Sequence, residues 1–377
     1  MDFELSDDQR MLHDSVERLV RDRSDFAAWR TRVAEGGGFD RALWAAMADL
    51  GWLSLTVPEA SGGYGGSPVD TLVIMQGLGR GLMLEPYVGS GVIAPALLPH
   101  LAGDVAGPIL ETVMSGAALV ALADAEPGGR FDLAAVATRA ERVADGYHLT
   151  GEKSHALDGA HADWFVIPAR TGGADDAREG ITLFLVPSDA AGLRIEAFRA
   201  MDHRHNAALS LRGVAVADTH IIGEVGRGYD LLDEAVALAI AARLAEAVGA
   251  MEAAYEQTLQ HLKTRRQFGQ PIGGFQALQH RAVDMAIACE EARSMMYQAT
   301  LALGGPRDER RRLIAAAKAR VGQCGLFVCR QAVQLHGGVG FSDELPIGHY
   351  LKRLVMIDLS YGNAAEQRRR FSAFEPS

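Results

Sequence analysis

Two stretches in the last third of the chain hold residues suited to an anionic, ring-bearing ligand. The first reads RRQFGQPIGGFQ, residues 265–276. Arg265 offers a planar, always charged fork that matches a diphosphate. Phe268 and Phe275 can pack on a ring system, and Gln267 and Gln276 add amides beside them. The second reads QLHGGVGF, residues 334–341. Gly337 and Gly338 permit close backbone approach and supply N–H groups with no Cβ in the way. Gln334 can bond an adenosine or diphosphate from the same helix end, and Leu335 and His336 complete the run. Each feature also has a plainer explanation. Arg265 could be a solvated helix-end cation, His-Gly-Gly a helix stop, and His336 a structural hydrogen-bonding group.

The elements that must position these stretches divide the chain by periodicity. Residues 1–116 read as a helical domain. SDDQRMLHDSVERLV opens with Ser6 as a candidate N-cap and places Met11, Leu12, Val16, Leu19 and Val20 on one face. The Gly-rich PEASGGYGGSP (58–68) lacks a phosphate-cradle pattern and reads as a connector. Residues 117–226 change to short β-rich runs, with ADG (144–146) as a hairpin turn and TGGADDAREG (171–180) as a polar loop. They predict an antiparallel β-domain. Residues 227–377 predict a four-helix bundle, with helices near 229–264, 274–303, 307–335 and 346–371. The fold class is therefore α+β.

Bulk properties exclude several functions. The 377 residues suffice for two or three domains. A net charge of −11 opposes non-specific nucleic-acid binding. No apolar run is long enough to span a bilayer, and the start lacks a signal-peptide pattern, so neither a membrane nor export is expected. The three cysteines, Cys289, Cys324 and Cys329, fit a reducing cytoplasm with no disulfide framework. Cys324 and Cys329 lie five apart with no partner at zinc spacing, so no metal site is expected.

Helices, a β-domain, then a bundle, combined with KTRRQFGQPIGGFQALQHRAVDMA (263–286) and QLHGGVGF, resemble the acyl-CoA dehydrogenase family. MDFELSDDQ at the start, AEPGG (125–129), GEK (151–153) and ADW (162–164) fall in family order, so the resemblance covers essentially the whole chain. It implies an FAD cofactor shared across a subunit interface, with electrons passing to an electron-transfer flavoprotein. One set of motifs then acts on a chain's own flavin ring. The other set acts on the ADP portion of the neighbour's FAD.

The second set is intact: Arg265, Gln267, Phe268, Phe275, Gln276, Gln334, Leu335, His336, Gly337 and Gly338. The first is eroded. Where the family has Thr-Glu-Pro-Gly-x-Gly-Ser-Asp, this chain has AEPGGRFD, with Ala125, Arg130 and Phe131 at altered positions. Where Trp-x-Thr follows GEK, it has His155 and Leu157, and Leu157 has no hydrogen bond to give. The family's proton-abstracting glutamate usually stands in a Tyr-Glu-Gly-Thr element. Here YGNA puts Gly362 there. The alternative family position, 26 residues before Arg265, holds Ala239. Neither side chain can take the weakly acidic α-proton of a thioester. Glu246, Asp358 and Glu366 remain as relocated candidates, each more simply a structural or surface charge.

This split resembles the small, non-catalytic subunit of bacterial enzymes of the pimeloyl-CoA dehydrogenase type, and in principle the paired steroid acyl-CoA dehydrogenases of actinobacteria. It implies a heterotetramer in which a catalytic acyl-CoA dehydrogenase partner binds the acyl-CoA and carries the base, while this chain completes the FAD site and carries no catalytic residue. The alternatives are a self-sufficient homotetramer with a relocated carboxylate, a flavin monooxygenase, and a structural partner without FAD.

Overall fold

The computed structural model describes residues 5–23 and 25–374, so the first four residues of MDFELSDDQ lie outside the described residues. The helices before the sheet are α1 (Asp7–Arg23), α2 (Phe26–Ala34), α3 (Arg41–Asp49), α4 (Pro68–Arg80), α5 (Ala94–Leu97) and α6 (Ala106–Met114). Ser6 caps α1 as its sequence predicts. Its hydroxyl accepts from the Gln9 N–H at 3.2 Å, and the Gln9 side chain accepts from the Ser6 N–H at 3.1 Å. This reciprocal pair satisfies two donors at a helix start. Asp25 and Asp40 cap α2 and α3 in the same sense.

The sheet strands are β1 (Val120–Leu122), β2 (Arg139–Val143), β3 (Gly146–Ala156), β4 (Trp164–Arg170), β5 (Ile181–Pro187), β6 (Leu193–Arg199), β7 (His205–Ala217) and β8 (Ile221–Ile222). Their order is β6-β7-β3-β2-β4-β5-β8, with β1 on β4. The β2–β3 hairpin turns at the expected ADG, where Val143 pairs with Gly146. The sheet departs from the antiparallel expectation at β4, which β1 and β2 join in parallel. Leu149, Phe165, Ile167, Phe184, Val186, Leu211 and Val214 form its core. Buried Arg170 ties down the polar 171–180 loop, donating to the carbonyls of Val136, Ala134, Asp175, Ala177 and Glu179.

After the sheet come α7 (Tyr229–Thr264), the hairpin β9 (Arg266–Gln267) and β10 (Gln270–Pro271), α8 (Gln276–Ala302), α9 (Arg307–His336), α10 (Ile347–Leu359) and α11 (Ala364–Ser372). The last helix expected, 346–371, is thus two. Tyr361 at φ +57 and Gly362 at φ +103 break it. Among the described residues, no helix is long and apolar enough to cross a membrane.

The chain forms two compact units. One comprises the described residues of Met1–Gly36, Pro68–Met83 and Ile240–Ser377, and the other Gly37–Ser67 and Leu84–Ala239. In the first, α4 and α7 approach through glycine. A Cβ on Gly79 would run into the carbonyl oxygen of Glu246, and one on Gly249 into that of Gln76. In the second, Gly107 on α6 faces open space. Gly249→Ala is expected to lower stability by about 1–3 kcal/mol through overpacking. Gly107→Ala should raise it by about 0.4–1 kcal/mol by stiffening the unfolded chain. Urea unfolding of the two variants checks both signs.

Candidate functional site

The stretches expected to hold a dinucleotide lie where α7 and α9 end and α8 begins. Beyond α7, Phe268 and Gly269 form the tip of the β9–β10 hairpin, with φ +51 and +81. Two consecutive positive φ values suit an Asn-Gly turn, so an aromatic at the first position is strained. Phe268 is nevertheless 90 % exposed, its ring edge-to-face with that of Phe275 at a centroid separation of 6.0 Å. Strain of this kind persists where something other than local stability requires the residue. Arg265, Gln267, Gln276 and Gln334 are exposed, and Arg265 makes no ion pair among the described residues.

Gly337 and Gly338 differ in why they are glycine. Gly337 closes α9 at φ +67 and ψ −144, a backbone open essentially to glycine alone. Gly338 has no such backbone, and a Cβ at either residue would meet nothing within 4 Å. The face is therefore open, as close approach of a diphosphate requires. Leu335 turns inward, 7 % exposed, so it supports the element from below. His336 is also buried, and its Nδ1 donates to the Ala332 carbonyl at 2.8 Å.

His261, absent from the sequence expectation, stacks on His336 with ring centroids 4.3 Å apart. This contact joins the α7 end to the α9 end. Its signal was its place four residues before Arg265, one helical turn back on the same face.

The β-domain elements have a different character. Lys153 of GEK and Glu126 of AEPGG form a buried ion pair at 2.5 Å, and Lys153 also donates to the Pro168 carbonyl. Burial pushes both groups toward their neutral forms. Mutual attraction and hydrogen bonds from Thr138 and Ala137 prevail at Glu126, holding it below the usual carboxylate range. Burial prevails at Lys153, which is lowered. The segment between them is tied to itself, with Gly129, Asp132, Ala134 and Ala135 donating to Glu126, Gly129 or Asp132. Arg130 sits at φ +53 where the family pattern has Gly. Leu157 is half-buried and apolar. These residues do not fit a flavin ring that needs hydrogen-bond donors and close backbone approach; those around Arg265 fit the dinucleotide's ADP end.

The position expected for a base is closed. Gly362 is buried in a left-handed turn, and a Cβ there would meet the Gln367 amide nitrogen at 2.9 Å. That amide holds the turn by donating to the Tyr361 carbonyl at 2.8 Å. Ala239 is fully buried.

The three other carboxylates are engaged. Glu246, 0 % exposed, lies between Arg243 and Arg353, accepting from the latter at 2.5 Å. Asp358 accepts from the Ala364 N–H at 3.1 Å at the start of α11. Glu366 pairs with Arg369 at 2.7 Å and Arg370 at 3.0 Å, and bonding to Arg369 holds it below the usual range.

Family models match three parts of the chain: the acyl-CoA dehydrogenase N-terminal domain over residues 6–102, the middle domain over 121–214 and the C-terminal domain over 226–373. A protein described as "Probable acyl-CoA dehydrogenase YngJ" from Bacillus subtilis is 28 % identical, covering 98 % of both chains. Benzylmalonyl-CoA dehydrogenase of Aromatoleum aromaticum is 29 % identical over 93 % of both. Among solved structures, a chain of the ChsE4-ChsE5 complex from Mycobacterium tuberculosis superposes with a TM-score of 0.89 at 26 % identity, covering 100 % of both chains. The chain belongs to the acyl-CoA dehydrogenase family, oxidoreductases that act on CH–CH groups with FAD as cofactor.

Gly362→Glu is expected to yield no dehydrogenase activity in the isolated chain and to cost at least about 1 kcal/mol, because the backbone there disfavours any side chain. Unfolding and activity assays of one preparation test both halves.

Lys318 allows a pH test. It is buried and donates to the Ile357 and Asp358 carbonyls at 2.8 and 2.9 Å. Burial, then Arg243 and Arg370, push it down to about 7, against the opposing pull of Asp358. An unfolded lysine titrates near about 10.4. Between these values the unfolded chain binds more protons, so this group makes stability rise with pH from about 7 to 10, by up to about 1.4 kcal/mol per pH unit. Lys318→Met should remove that rise from the pH profile of unfolding.

Proposed function

We propose that this chain is the supporting subunit of a heteromeric FAD-dependent acyl-CoA dehydrogenase, and that it completes the cofactor site of a catalytic partner. The observation that carries the reading is the contrast within one chain. The position for the base is a buried left-handed glycine, while the dinucleotide element is open and strained outward at Phe268. The ChsE4-ChsE5 neighbour, a complex of two named components, supports the pairing.

In this reading Arg265 grips the diphosphate of the partner's FAD, and Gly337 and Gly338 let the backbone approach it. Gln334, Gln267 and Gln276 bond the polar ADP end, and Phe268 and Phe275 pack on it. Bound FAD would supply an acceptor for the hydride equivalent lost from Cβ of the acyl group. The α-proton goes to a carboxylate of the partner, because Glu246, Asp358 and Glu366 of this chain are already committed. The electrons leave to an electron-transfer flavoprotein, in a cytoplasmic setting suited to the unpaired Cys289, Cys324 and Cys329. A self-sufficient enzyme would need one of those three carboxylates released from its partners. A structural subunit without FAD would leave the exposed Arg265 and the open Gly337–Gly338 face without a ligand.

The chain expressed alone should be flavin-poor and inactive. Co-expressed with a catalytic acyl-CoA dehydrogenase subunit from the same genome, it should give a yellow tetramer holding one FAD per pair of chains. Because the cofactor binds the assembled form, FAD should also raise the complex's melting temperature by mass action. Phe268→Asn should relax the hairpin yet lower flavin retention in that complex. A yellow, active homotetramer from this chain alone would overturn the reading.

A further inference from the structure

The polarity of the dinucleotide element is unusual. A diphosphate is commonly held at helix N-termini, where N–H groups point at it. Gln276 does open α8, but α7 ends at Thr264 and α9 at His336, so Arg265 and the Gly337–Gly338 pair stand at two C-terminal ends. Their terminal carbonyls carry partial negative charge and oppose an anion. Positive charge must offset them. Arg265 follows α7 directly, flanked by Lys263 and Arg266.

Two imidazoles also stand at this junction. His261 lies in the last turn of α7 and His336 ends α9, and their planes are inclined by only 27°. His336 donates through Nδ1 to the Ala332 carbonyl, which leaves Nε2 as its titrating nitrogen. We propose that this stacked pair takes up one proton when a dinucleotide diphosphate seats on Arg265 and the Gly337–Gly338 element, so that cofactor anchoring tightens as the pH falls. The proposal rests on the reading of this element as an FAD site.

The charges around the pair account for the linkage. Burial lowers His261, and His336 and Arg265 lower it further. Burial also lowers His336, while its bond to Ala332 opposes the change. Lys263 at the end of α7 and Arg266 on β9 are the further cations in this stretch, His280 and Arg281 stand on α8, and Arg281 is bonded to Gln331 at 2.9 Å. With no anion nearby the pair is therefore uncharged near neutrality. A diphosphate adds negative charge to that of the two helix ends and favours the proton. Two rings in contact titrate as a unit, so one proton is shared by the pair. Its titration point is lower without the diphosphate than with it. Affinity therefore rises as pH falls between the two and levels off below the lower one.

The experiment is calorimetry of FAD binding to the flavin-stripped complex of this chain and its catalytic partner. Paired buffers of different ionisation heat report proton uptake at about pH 7. Uptake approaching one proton is expected, with a dissociation constant that falls by up to about tenfold per pH unit on acidification. His261→Phe and His336→Phe keep a ring in the stack and should each flatten the pH slope. Binding without proton uptake in the unmodified complex, or an unchanged slope in both variants, overturns the proposal and leaves the FAD site standing. Failure of FAD to bind the complex at all overturns the site itself, and the proposal with it.

Discussion

A carboxylate held between two guanidinium groups orders much of the helical unit. Arg243 and Glu246 stand one turn apart on α7, and Arg353 reaches Glu246 from α10 while donating to the Met83 carbonyl at 2.9 Å. One ion thus registers α7, α10 and the segment after α4. Such a triad gains little over a well-packed apolar substitute, but removing its centre strands two buried cations, at about 3–5 kcal/mol. The arrangement also leaves positive charge in excess. Lys318, lowered first by burial and further by Arg243 of the triad and by Arg370, secures the last carbonyls of α10 through its amine. With α10 fixed there, the chain turns through Tyr361 and Gly362 before Asn363 caps α11. The closed turn at the expected base position is therefore part of the packing and more than a missing side chain.

The β-domain shows why parts of a motif remain when its chemistry is eroded. In AEPGG and GEK the matching residues include Glu126 and Lys153, which hold each other and anchor the strands around them. Losing either partner would leave a buried charge unpaired. The altered positions, Ala125, Arg130, Phe131, His155 and Leu157, are those whose role in the resemblance is toward the flavin and thioester.

Much of the fold was legible because its signals are local. The Ser6 cap, the ADG hairpin and the long α7 follow from spacing and turn chemistry. The break at residues 360–363 was not legible, because the apolar period runs on through it and a lone glycine within a helical pattern is ambiguous. The parallel joins at β4 depend on pairing between distant segments, which no local pattern encodes. In the site, the exposed residues of RRQFG and HGG were recognisable by type and spacing. The inward turn of Leu335 and the stacking of His261 on His336 depend on how two helix ends meet, which the sequence does not specify.

Phe268 connects the geometry to the proposed assembly. An Asn in its place would relieve the turn, and its 90 % exposure means that little packing in this chain offsets the strain. If the hairpin acted only within this chain, the phenylalanine would be a net loss. A second surface that covers the ring offsets the strain, since burying an aromatic side chain is worth about 1.5–3 kcal/mol, comparable to the roughly 1–3 kcal/mol such a backbone costs. In the proposed reading, a chain with a closed base position and an exposed aromatic at this hairpin tip meets its partner through that ring.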